Sequence, residues 1–548
     1  MAKKRPSTNR GRTITDHFSR VIAPPDLYDP EKRREWELGD NDDERGPYIV
    51  ELNLQHRGGL PGASALFKQL HEELRKGDPT LPPPEPIAKT YFRVEMRPLE
   101  WQRLLALDEA HTSAALAEQP ESDAVQHRCI YKLWPDFPVR SQTDRSMATV
   151  KADAALKSFD ASGEGITWAV IDSGVAGWHA HFLAAGTLSS SSVKDLHRCF
   201  TEIEEGGPGA EEVRRLGDPD DPSLDQAERE RRLADHFAWA LRDEFGHGTH
   251  VAGIIAGSAP REGEVIALQR VDRVDSQGQL KPGHRERRAH VVRERLRGVA
   301  PAAKLISLRV LDKDGNGRSS DVIRALEYIR EHLNDNPKLM RVHGVNLSVG
   351  YEFDAEMFAC GQSPICSEVN RLVQSGVVVV TAAGNTGYGT IAASNRAAKV
   401  GLSNTINDPG NAEMAITVGA THRDAPHTFG VSYFSSKEPT GDGRLKPDLV
   451  APGERITSCA AGRHVTEART VLGNAADQAA LYIEDSGTSM AAPHVSGAVA
   501  AFLSIRREFI GRPLDVKRVF LESATPLGRE RYFEGRGLLD LMRAIQSV

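Results

Sequence analysis

The chain has 548 residues, a formal net charge of −7 at pH 7 and a pI of about 6.3. This acidic balance gives no reason to expect a nucleic-acid partner. No stretch reaches the roughly 18 apolar residues that a membrane span needs, so we expect no membrane partner either. With 39% hydrophobic residues, the length suffices for one large α/β domain and a smaller one.

The amino terminus and the cysteines bear on the cellular compartment. Residues 1–20 are basic but contain no apolar segment of the kind found in secretory signals. Five cysteines are few for this length and odd in number, which favours free thiols in a reducing compartment. The sequence therefore predicts a cytoplasmic protein, with free thiols preferred to a small-loop disulfide between Cys360 and Cys366.

Two segments precede the main domain. Residues 1–46 are polar and charged without periodicity, which predicts a flexible or extended arm. Residues 47–136 alternate between strand and helix patterns, which predicts a small α+β domain of ferredoxin-like order. Its expected parts are strands over 48–54, 91–96 and 128–133, helices over 63–75 and 100–107, and a proline-rich linker over 81–86.

Four polar residues of the main domain follow buried strands or begin helices. Asp172 and Asn385 each follow a short apolar run that is typical of a buried parallel strand. Apolar residues after His247 and Ser489 recur at helical spacing, so we expect both residues to begin helices. The C-terminal ends of strands and the N-terminal ends of helices lie at one face of an open parallel sheet. All four side chains are therefore expected in one cleft.

Three of these residues have the chemistry of acyl transfer. A serine hydroxyl is a poor nucleophile unless a base accepts its proton. His247 would accept the Ser489 proton and later pass it to the leaving amine, while Asp172 would fix the imidazole tautomer. Simpler roles stay open: Ser489 in packing or capping, Asn385 in a turn, Asp172 in a turn or N-cap. A metal pair of His247 and His250 is disfavoured because the HExxH spacing and its glutamate are absent.

Four sequence runs carry a resemblance to a known family. They resemble runs of the subtilisin family of serine proteases, in the chain order Asp, His, Ser, and the likeness covers about residues 140–548. The resemblance implies an α/β subtilisin-like three-layer fold with a mostly parallel central sheet. The runs are AVIDSG at 169–174, GHGTHVAG at 246–253, AAGN at 382–385 and GTSMAAPH at 487–494.

The resemblance assigns roles to residues within these runs. Asp172, His247 and Ser489 would form the catalytic triad. The Asn385 side-chain amide and the Ser489 backbone N–H would form the oxyanion hole. The family motif also implies that His250 and His494 are structural. Independently of the resemblance, Pro493 is expected close to the start of the helix that begins near Ser489, where a missing N–H costs least.

The resemblance also predicts where a peptide binds. An extended substrate would add to strand edges through main-chain hydrogen bonds. Two short segments would wall the primary specificity pocket, and a glycine-rich loop would border a more distant subsite. These residues are Ser348, Val349, Gly350, Ala382, Ala383 and Gly384 in the pocket, and Gly315 and Gly317 at the distant subsite.

The domain at 47–136 resembles, by position and pattern, the prodomain that members of this family use as folding assistant and inhibitor. Its C-terminal segment would then lie in the substrate channel as a product-like peptide, with processing between about residues 134 and 150. The alternative is a permanently retained accessory domain. The implied partners are a protein or peptide substrate and the chain's own N-terminal domain as intramolecular inhibitor.

No cofactor is required for this chemistry, and no metal ligand set is identified. The run DKDGNG at 312–317 imitates the opening of an EF-hand loop, but Ile323 occupies the twelfth position, where a bidentate glutamate is needed. A strand-to-helix turn is the preferred interpretation, and structural calcium, which occurs in this family, stays open. One departure from the family pattern is Glu438, where relatives commonly carry glycine.

Two charged insertions flank the His247 run. Residues 201–235 are rich in Glu and Asp, and residues 258–297 are rich in Arg. Such runs are usually solvated faces. A sharper hypothesis is that the two insertions pair beside the cleft and restrict which substrates enter. The arginines concerned are Arg285, Arg287, Arg288, Arg293, Arg295 and Arg297.

The sequence as a whole predicts a serine endopeptidase that hydrolyses peptide bonds through an acyl-enzyme intermediate. Autoprocessing is a further expectation. The alternative is a non-cleaving, protease-like scaffold that binds extended peptides, although such scaffolds usually lose a triad member. A metal-dependent hydrolase is a more distant third.

Overall fold

The computed structural model describes residue 23 and residues 25–35, 38, 42–119, 122–136, 138–141, 149–205, 212–274, 280–288, 293, 296–336, 339–352, 359–393 and 396–548. These residues fall into two compact units, Met1–Phe137 and Pro138–Val548. The first unit contains one small antiparallel sheet, and the second contains a large parallel sheet.

The first unit contains a four-stranded antiparallel sheet and two long helices. Its elements follow the order strand, helix, strand, strand, helix, strand, which confirms the predicted ferredoxin-like arrangement. In sheet order the strands are Glu85–Ala88, Tyr91–Met96, Gly46–Leu52 and Ile130–Pro135, and the helices are Gly59–Gly77 and Pro98–Glu118.

The proline-rich linker predicted over residues 81–86 is partly a strand. Glu85–Ala88 pairs antiparallel with Tyr91–Met96 and, within the part of the chain that the structure describes, has no strand on its other side. An edge strand tolerates proline because one row of its N–H groups needs no ladder partner. Pro86 therefore signalled an edge position and not the absence of a strand.

The prediction of a flexible or extended arm over residues 1–46 is wrong for its later part. Leu27 and Leu38 are buried, and the Tyr28 ring packs edge-on against Trp101 with the ring centroids 5.0 Å apart. Isolated apolar residues among charged ones thus anchor this segment to the first unit. Its elements are a 3₁₀ turn over Pro25–Tyr28 and a helix over Pro30–Glu35, while residues 1–22 lie outside the described residues.

The second unit is built on seven parallel strands. The strand Thr167–Asp172 is buried along its whole length, as expected of a parallel strand covered on both faces. The predicted subtilisin-like α/β fold with a mostly parallel central sheet is confirmed. In sheet order the strands are Leu449–Pro452, Ile416–Thr421, Val378–Ala382, Gly344–Leu347, Thr167–Asp172, Lys304–Arg309 and Arg198–Cys199.

Helices pack on this sheet, among them the two helices that begin at His247 and Thr488. His247–Ile255 contacts Thr167–Asp172, and Thr488–Ile505 contacts Val378–Ala382. The helices are Ala152–Phe159, Ala180–Leu183, Gln226–Ala240, His247–Ile255, Ser319–Tyr328 with its π-helical continuation Ile329–Leu333, Pro364–Gln374, Pro426–Phe429, Arg463–Leu472, Thr488–Ile505, Pro513–Ser523, Arg531–Glu534 and Leu541–Gln546.

The helix Thr488–Ile505 corrects one sequence expectation. By length and composition it is apolar enough to cross a membrane, although no such stretch was expected. Within the protein, 89% of this helix is buried. Its apolar character is explained by its place between the sheet and neighbouring helices, because a helix that is apolar all round is typical of a protein core.

Smaller sheets complete the second unit. A four-stranded sheet combines two strands of the 258–297 insertion with two strands from later in the chain, so this insertion is structured and not only a charged loop. In sheet order these strands are Leu280–Arg287, Val265–Val274, Ala480–Asp485 and Ile456–Cys459. There are also two-stranded sheets among the described residues: Ile203–Glu205 pairs with Glu212–Arg214, and Tyr388–Ala393 pairs with Arg396–Gly401.

The hypothesis that the two charged insertions pair with each other is wrong for the described arginines. These side chains contact other carboxylates or, for Arg293, backbone carbonyls. Arg295 lies outside the described residues. The ion pairs are Arg285 with Glu467, Arg287 with Glu264, Arg288 with Glu484 and Arg297 with Asp153.

Candidate active site

Asp172 and His247 meet where a strand ends and a helix begins. Asp172 is the last residue of Thr167–Asp172, and His247 is the first residue of His247–Ile255. The His247 Nδ1 and Asp172 Oδ1 atoms lie 2.6 Å apart, and the Ser173 backbone N–H donates to the same oxygen at 2.8 Å. Both side chains are buried, so solvent does not compete for this hydrogen bond.

Ser489 and Ser348 exchange two hydrogen bonds. The Ser489 hydroxyl donates to the Ser348 carbonyl at 2.9 Å, and the Ser348 hydroxyl donates to the Ser489 carbonyl at 2.8 Å. Asn346 Nδ2 in turn donates to the Ser348 hydroxyl oxygen at 2.8 Å. Ser489 is therefore held at the start of its helix by the segment that follows the strand Gly344–Leu347.

Pro493 is the sixth residue of the helix Thr488–Ile505 and not part of its first turn. The expectation that its missing N–H costs little at a helix start is therefore wrong. A residue at this position would normally donate to the carbonyl four residues earlier, which belongs to Ser489. That carbonyl instead accepts a hydrogen bond from the Ser348 hydroxyl. The presence of proline at position 493 therefore leaves no unsatisfied acceptor.

The pair Asp172–His247 and the pair Ser348–Ser489 are brought to one edge of the sheet. Leu347 is aligned with Ile171 on the adjacent parallel strand. Ser348 and Asp172, which follow these two residues, are therefore neighbours across the two strands. Adjacent strands lie about 4.8 Å apart. The two pairs therefore lie at the same edge of the sheet.

Asn385 is oriented by the residue before Ser489. Its Oδ1 accepts from both the Thr488 backbone N–H and the Thr488 hydroxyl, each at 2.9 Å. Because both bonds use Oδ1, the Nδ2 donor lies on the opposite side of the amide. The side chain of Asn385 is therefore fixed beside the start of the helix that carries Ser489.

The segments predicted to wall the specificity pocket leave the sheet from adjacent strands. One follows Gly344–Leu347, and the other begins at the last residue of the adjacent strand Val378–Ala382. Both are tied to the segment 407–410: Asn407 N–H donates to the Ala383 carbonyl at 3.0 Å, and Tyr351 and Asp408 exchange backbone hydrogen bonds at 3.0 and 3.1 Å. The walls are therefore joined at one end.

A short extended segment lies between the predicted substrate-binding edges. Pro138–Ser141 pairs antiparallel with Gly317–Arg318 on one side and with Val349–Gly350 on the other. A chain segment thus occupies these two edges in the manner expected of an extended peptide. Gly315 belongs to the adjoining turn, where its φ of +83° suits glycine.

Asp243 and Ser173 are site residues that sequence reasoning missed. The buried Asp243 carboxylate lies beside the start of the His247 helix and accepts hydrogen bonds from Ser173, Gly246 and Thr249. Burial raises the pKa of Asp243 above its ordinary value, while these hydrogen bonds oppose the rise. Its place four residues before His247, in a segment leading into a helix start, was the available signal.

His250 and His494 make backbone contacts within the core. His250 Nε2 lies 3.1 Å from the Ile483 carbonyl, and His494 Nδ1 lies 2.7 Å from the Met490 carbonyl. Both rings are buried, and burial lowers the pKa of His250 to about 3. A neutral, hydrogen-bonded imidazole is suited to packing.

The loop Asp312 to Gly317 closes on itself as an Asx turn. Asp312 Oδ1 accepts from the Asp314 and Asn316 backbone N–H groups, each at 2.9 Å. Within the described part of the chain, no group of three or more His, Cys, Asp or Glu residues is arranged to hold a metal ion. The five cysteines are all buried and free.

Comparison with known proteins places the chain in a family. The model described as the subtilase family matches residues 163–537. Serine protease AprX of Bacillus subtilis is 31% identical over 267 residues, which cover 48% of this chain and 49% of AprX. Pyrolysin of Pyrococcus furiosus is 30% identical over 352 residues, covering 56% of this chain and 21% of pyrolysin.

A third relative is covered more fully. The intracellular serine protease of Paenibacillus polymyxa is 29% identical over 304 residues, which cover 55% of this chain and 68% of that protein. The chain spans about half the length of AprX and about a fifth of pyrolysin. Because the family match covers more than half of the chain, this protein belongs to the subtilase family.

Proposed function

We propose that the protein is a serine endopeptidase with Asp172, His247 and Ser489 as its catalytic triad. The observation that carries the proposal is the 2.6 Å hydrogen bond between Asp172 and His247 at the sheet edge that also holds Ser489. The names of its relatives, among them serine proteases and subtilisins, support the same activity. The reaction requires no cofactor.

Catalysis begins with a reorientation of the Ser489 hydroxyl. Rotation about its Cα–Cβ bond exchanges the Ser348 carbonyl for the imidazole of His247 as the proton acceptor. The hydroxyl oxygen then attacks the substrate carbonyl while His247 takes the proton. Asp172 stays ionised, keeps the Nδ1 proton in place and stabilises the imidazolium that forms. The amine leaves with the proton from His247, and water hydrolyses the acyl-enzyme by the reverse sequence of proton transfers.

The negative charge on the substrate oxygen is stabilised by two N–H donors. One is Asn385 Nδ2. The two hydrogen bonds from Thr488 hold the Asn385 amide by its Oδ1 atom, so Nδ2 is kept for the substrate oxygen. The other is the Ser489 backbone N–H. Because Ser489 is the second residue of a helix, the positive end of the helix dipole lies at the same place.

The substrate is an extended protein or peptide segment. It pairs between Gly317–Arg318 and Val349–Gly350, which form main-chain hydrogen bonds to any sequence. The side chain that precedes the scissile bond enters the pocket between Ser348–Gly350 and Ala382–Gly384. Selectivity for particular sequences therefore depends on this pocket, while affinity depends on the two edges.

The N-terminal unit is proposed to be an intramolecular inhibitor that the enzyme itself removes. Pro138–Ser141 directly follows this unit in the chain and occupies the substrate edges. Within this segment, Pro138 pairs with Arg318 and Ser141 pairs with Val349. Ser348, the residue before Val349, contacts Ser489. The scissile bond is therefore expected within residues 141–148. A permanently retained accessory domain is the alternative.

Labelling with a serine-directed fluorophosphonate tests the activity. We expect the full chain to be labelled at Ser489, with no effect of chelators, and the Ser489→Ala variant to be neither labelled nor active. Absence of labelling in a protein that still binds peptides would favour the non-cleaving scaffold, and inactivation by chelators would favour a metal-dependent hydrolase. Sequencing the amino termini of purified protein beside Ser489→Ala locates self-cleavage. An intact chain in both samples would indicate a retained domain.

The compartment is a further proposal. Five buried free thiols suit a reducing environment, and a relative named intracellular serine protease agrees with it. We propose that the protein acts in the cytoplasm. Fractionation of cells that express the full chain, followed by detection of the protein, tests this placement.

A further inference from the structure

We propose that Asp243 is a positioning residue for the catalytic pair, acting through Ser173 to fix Asp172 against His247. The inference rests on the proposed function, because it concerns how the same site is aligned. Asp243 itself is separated from the reacting atoms by Ser173 and by the backbone of the His247 helix. Its effect on the reaction is therefore indirect.

The Asp243 carboxylate accepts four hydrogen bonds, two at each oxygen. Oδ1 accepts from the Ser173 hydroxyl at 2.8 Å and from the Gly246 N–H at 2.7 Å. Oδ2 accepts from the Thr249 N–H at 2.8 Å and from the Thr249 hydroxyl at 2.6 Å. All four partners donate, so the site matches an ionised carboxylate, which only accepts.

Ser173 connects Asp243 to both members of the catalytic pair. Its hydroxyl donates to Asp243 and accepts from the Gly248 N–H, the residue after His247, at 2.9 Å. Its backbone N–H donates to Asp172 Oδ1, the same oxygen that contacts His247, at 2.8 Å. Ser173 is thus bonded to the Asp172 carboxylate and to the first turn of the His247 helix at once.

Thr249 makes an equivalent connection on the other side. Its hydroxyl donates to Asp243 and accepts from the Ala176 N–H at 2.9 Å. Asp243 therefore orients two hydroxyls, and each hydroxyl joins the segment after Asp172 to the helix that begins at His247. Without the carboxylate, both hydroxyls lose the acceptor that directs their lone pairs to those backbone groups.

The two segments are packed too closely for the hydrogen bonds to be replaced by a simple shift. A Cβ atom at Gly248 would lie 2.1 Å from the Gly174 carbonyl oxygen, so the backbones are already in contact. Gly174, with a φ of +100°, would bring a Cβ atom within 2.1 Å of the Arg242 carbonyl oxygen. Reorganisation around Asp243 is thus transmitted to the position of Asp172 relative to His247.

Asp243→Asn changes the hydrogen bonding and leaves the shape almost unchanged. An asparagine offers one acceptor oxygen and one NH₂ donor, so it faces at least one of the four donors with another donor. A misplacement of about 1 Å in a catalytic group can cost about 100-fold in rate. We expect kcat for a peptide substrate to fall about 30- to 100-fold, with KM changed by less than about 3-fold because none of the four hydrogen bonds of Asp243 involves a peptide edge.

The experiment compares Asp243→Asn with Glu244→Gln, Ser173→Ala and the double variant of Asp243 and Ser173, each in the full chain. Glu244 is the adjacent carboxylate and pairs with Arg309 at 2.7 Å, so Glu244→Gln is a charge-matched control expected to keep kcat within about 2-fold. If Asp243 acts through Ser173, kcat of the double variant should be only slightly lower than kcat of the less active single variant. The inference would be overturned if the kcat losses of the two single variants multiply in the double variant. It would also be overturned if Asp243→Asn changes only KM or leaves kcat unchanged.

Two further measurements separate this inference from its premises. If the wild-type protein is not labelled by a fluorophosphonate, the proposed function fails; if wild type and Asp243→Asn are labelled at the same rate, only the positioning role fails. Thermal unfolding shows whether each variant is folded. If Asp243→Asn does not fold, the folded Ser173→Ala variant decides: a kcat loss of about 10-fold at constant KM supports the connection, and an unchanged kcat overturns it.

Discussion

Ser348 supplies the hydrogen bond that Pro493 cannot give: its hydroxyl lies 2.8 Å from the Ser489 carbonyl oxygen, the acceptor that a residue at position 493 would normally use. Proline in a helix interior removes one backbone donor. Here the freed acceptor is joined to the segment after Gly344–Leu347, so the helix that carries Ser489 is bonded to the central sheet.

Ser348→Ala should therefore destabilise the protein by about 1–3 kcal/mol, because a buried carbonyl would lose its donor. Urea unfolding of the Ser489→Ala protein measures this change without self-digestion. Adding Pro493→Ala restores an N–H for the same carbonyl and should recover about 1 kcal/mol of the loss.

The matched control is Ser192→Ala, which removes an exposed hydroxyl and should change the unfolding free energy by less than about 0.5 kcal/mol. If Pro493→Ala changes the unfolding free energy by the same amount with and without the Ser348 hydroxyl, the two residues do not share the Ser489 carbonyl.

Asn385→Ala should lower kcat by about 100- to 1000-fold with little change in KM, because its amide would stabilise charge that develops only after attack. This magnitude was measured on the corresponding asparagine of a subtilisin, so it is a family value. Steady-state kinetics on a peptide substrate measure both constants.

Thr488→Val provides a graded comparison with Asn385→Ala. It removes the hydroxyl that bonds Asn385 Oδ1 and keeps the backbone N–H that bonds the same atom. We expect a smaller loss of kcat, of about 10-fold, which corresponds to roughly 1.4 kcal/mol. An equal loss in both variants would mean that the amide is held by the hydroxyl alone.

The elements that carry the site could be predicted from sequence because their patterns are local. Buried parallel strands such as Thr167–Asp172 and Val378–Ala382 are uninterrupted apolar runs, and helix starts follow from 3.6-residue periodicity. Once four polar residues are assigned to strand ends and helix starts, the topology of a parallel sheet brings them to one edge.

Features that depend on a tertiary partner could not be predicted. Nothing near Pro493 in sequence indicates that Ser348 would bond the Ser489 carbonyl, and the partners of Arg285 and Arg288 depend on hairpin register. Asp243 was overlooked because a carboxylate before a helix is usually a surface cap, whereas here the fold buries it.

His179 and His181 should make the protein sensitive to acid. Both rings are buried; His181 contacts the Tyr482 hydroxyl and the Ala256 carbonyl, and burial lowers the pKa of His179 to about 4 and of His181 to about 3. A histidine with a lowered folded-state pKa contributes stability that is present above its unfolded pKa of about 6.5 and is lost as pH falls towards the folded value.

Each of these histidines should therefore cost about 2 kcal/mol of unfolding free energy between pH 7 and pH 5. Urea unfolding of the Ser489→Ala protein at both pH values measures the loss. His181→Gln should lower stability at pH 7 but reduce the pH-dependent loss, whereas the exposed His427→Gln should leave that loss unchanged. A pH dependence that is identical in all three proteins would contradict the assignment.

Glu438 should limit stability on the alkaline side. The side chain is 1% exposed, neither carboxylate oxygen has a hydrogen-bond partner among the described residues, and burial raises the pKa of Glu438 from 4.5 to about 8. The protonated form is thus favoured in the folded state. Its contribution to stability is fully present below pH 4.5 and is lost as pH rises through about 8.

Glu438→Gln imitates the protonated side chain at every pH. The variant should match the parent near pH 4 and exceed its unfolding free energy by more than about 1 kcal/mol at pH 9, since one unit of pKa corresponds to about 1.4 kcal/mol. Unfolding at several pH values in the Ser489→Ala protein measures the difference, with the exposed Glu508→Gln as a control that should show no such trend. If the unfolding free energies of parent and variant differ by the same amount from pH 4 to pH 9, the prediction is wrong. Glu438 would then be ionised in the folded protein, with its burial compensated by the positive charges of Arg531 and Lys446.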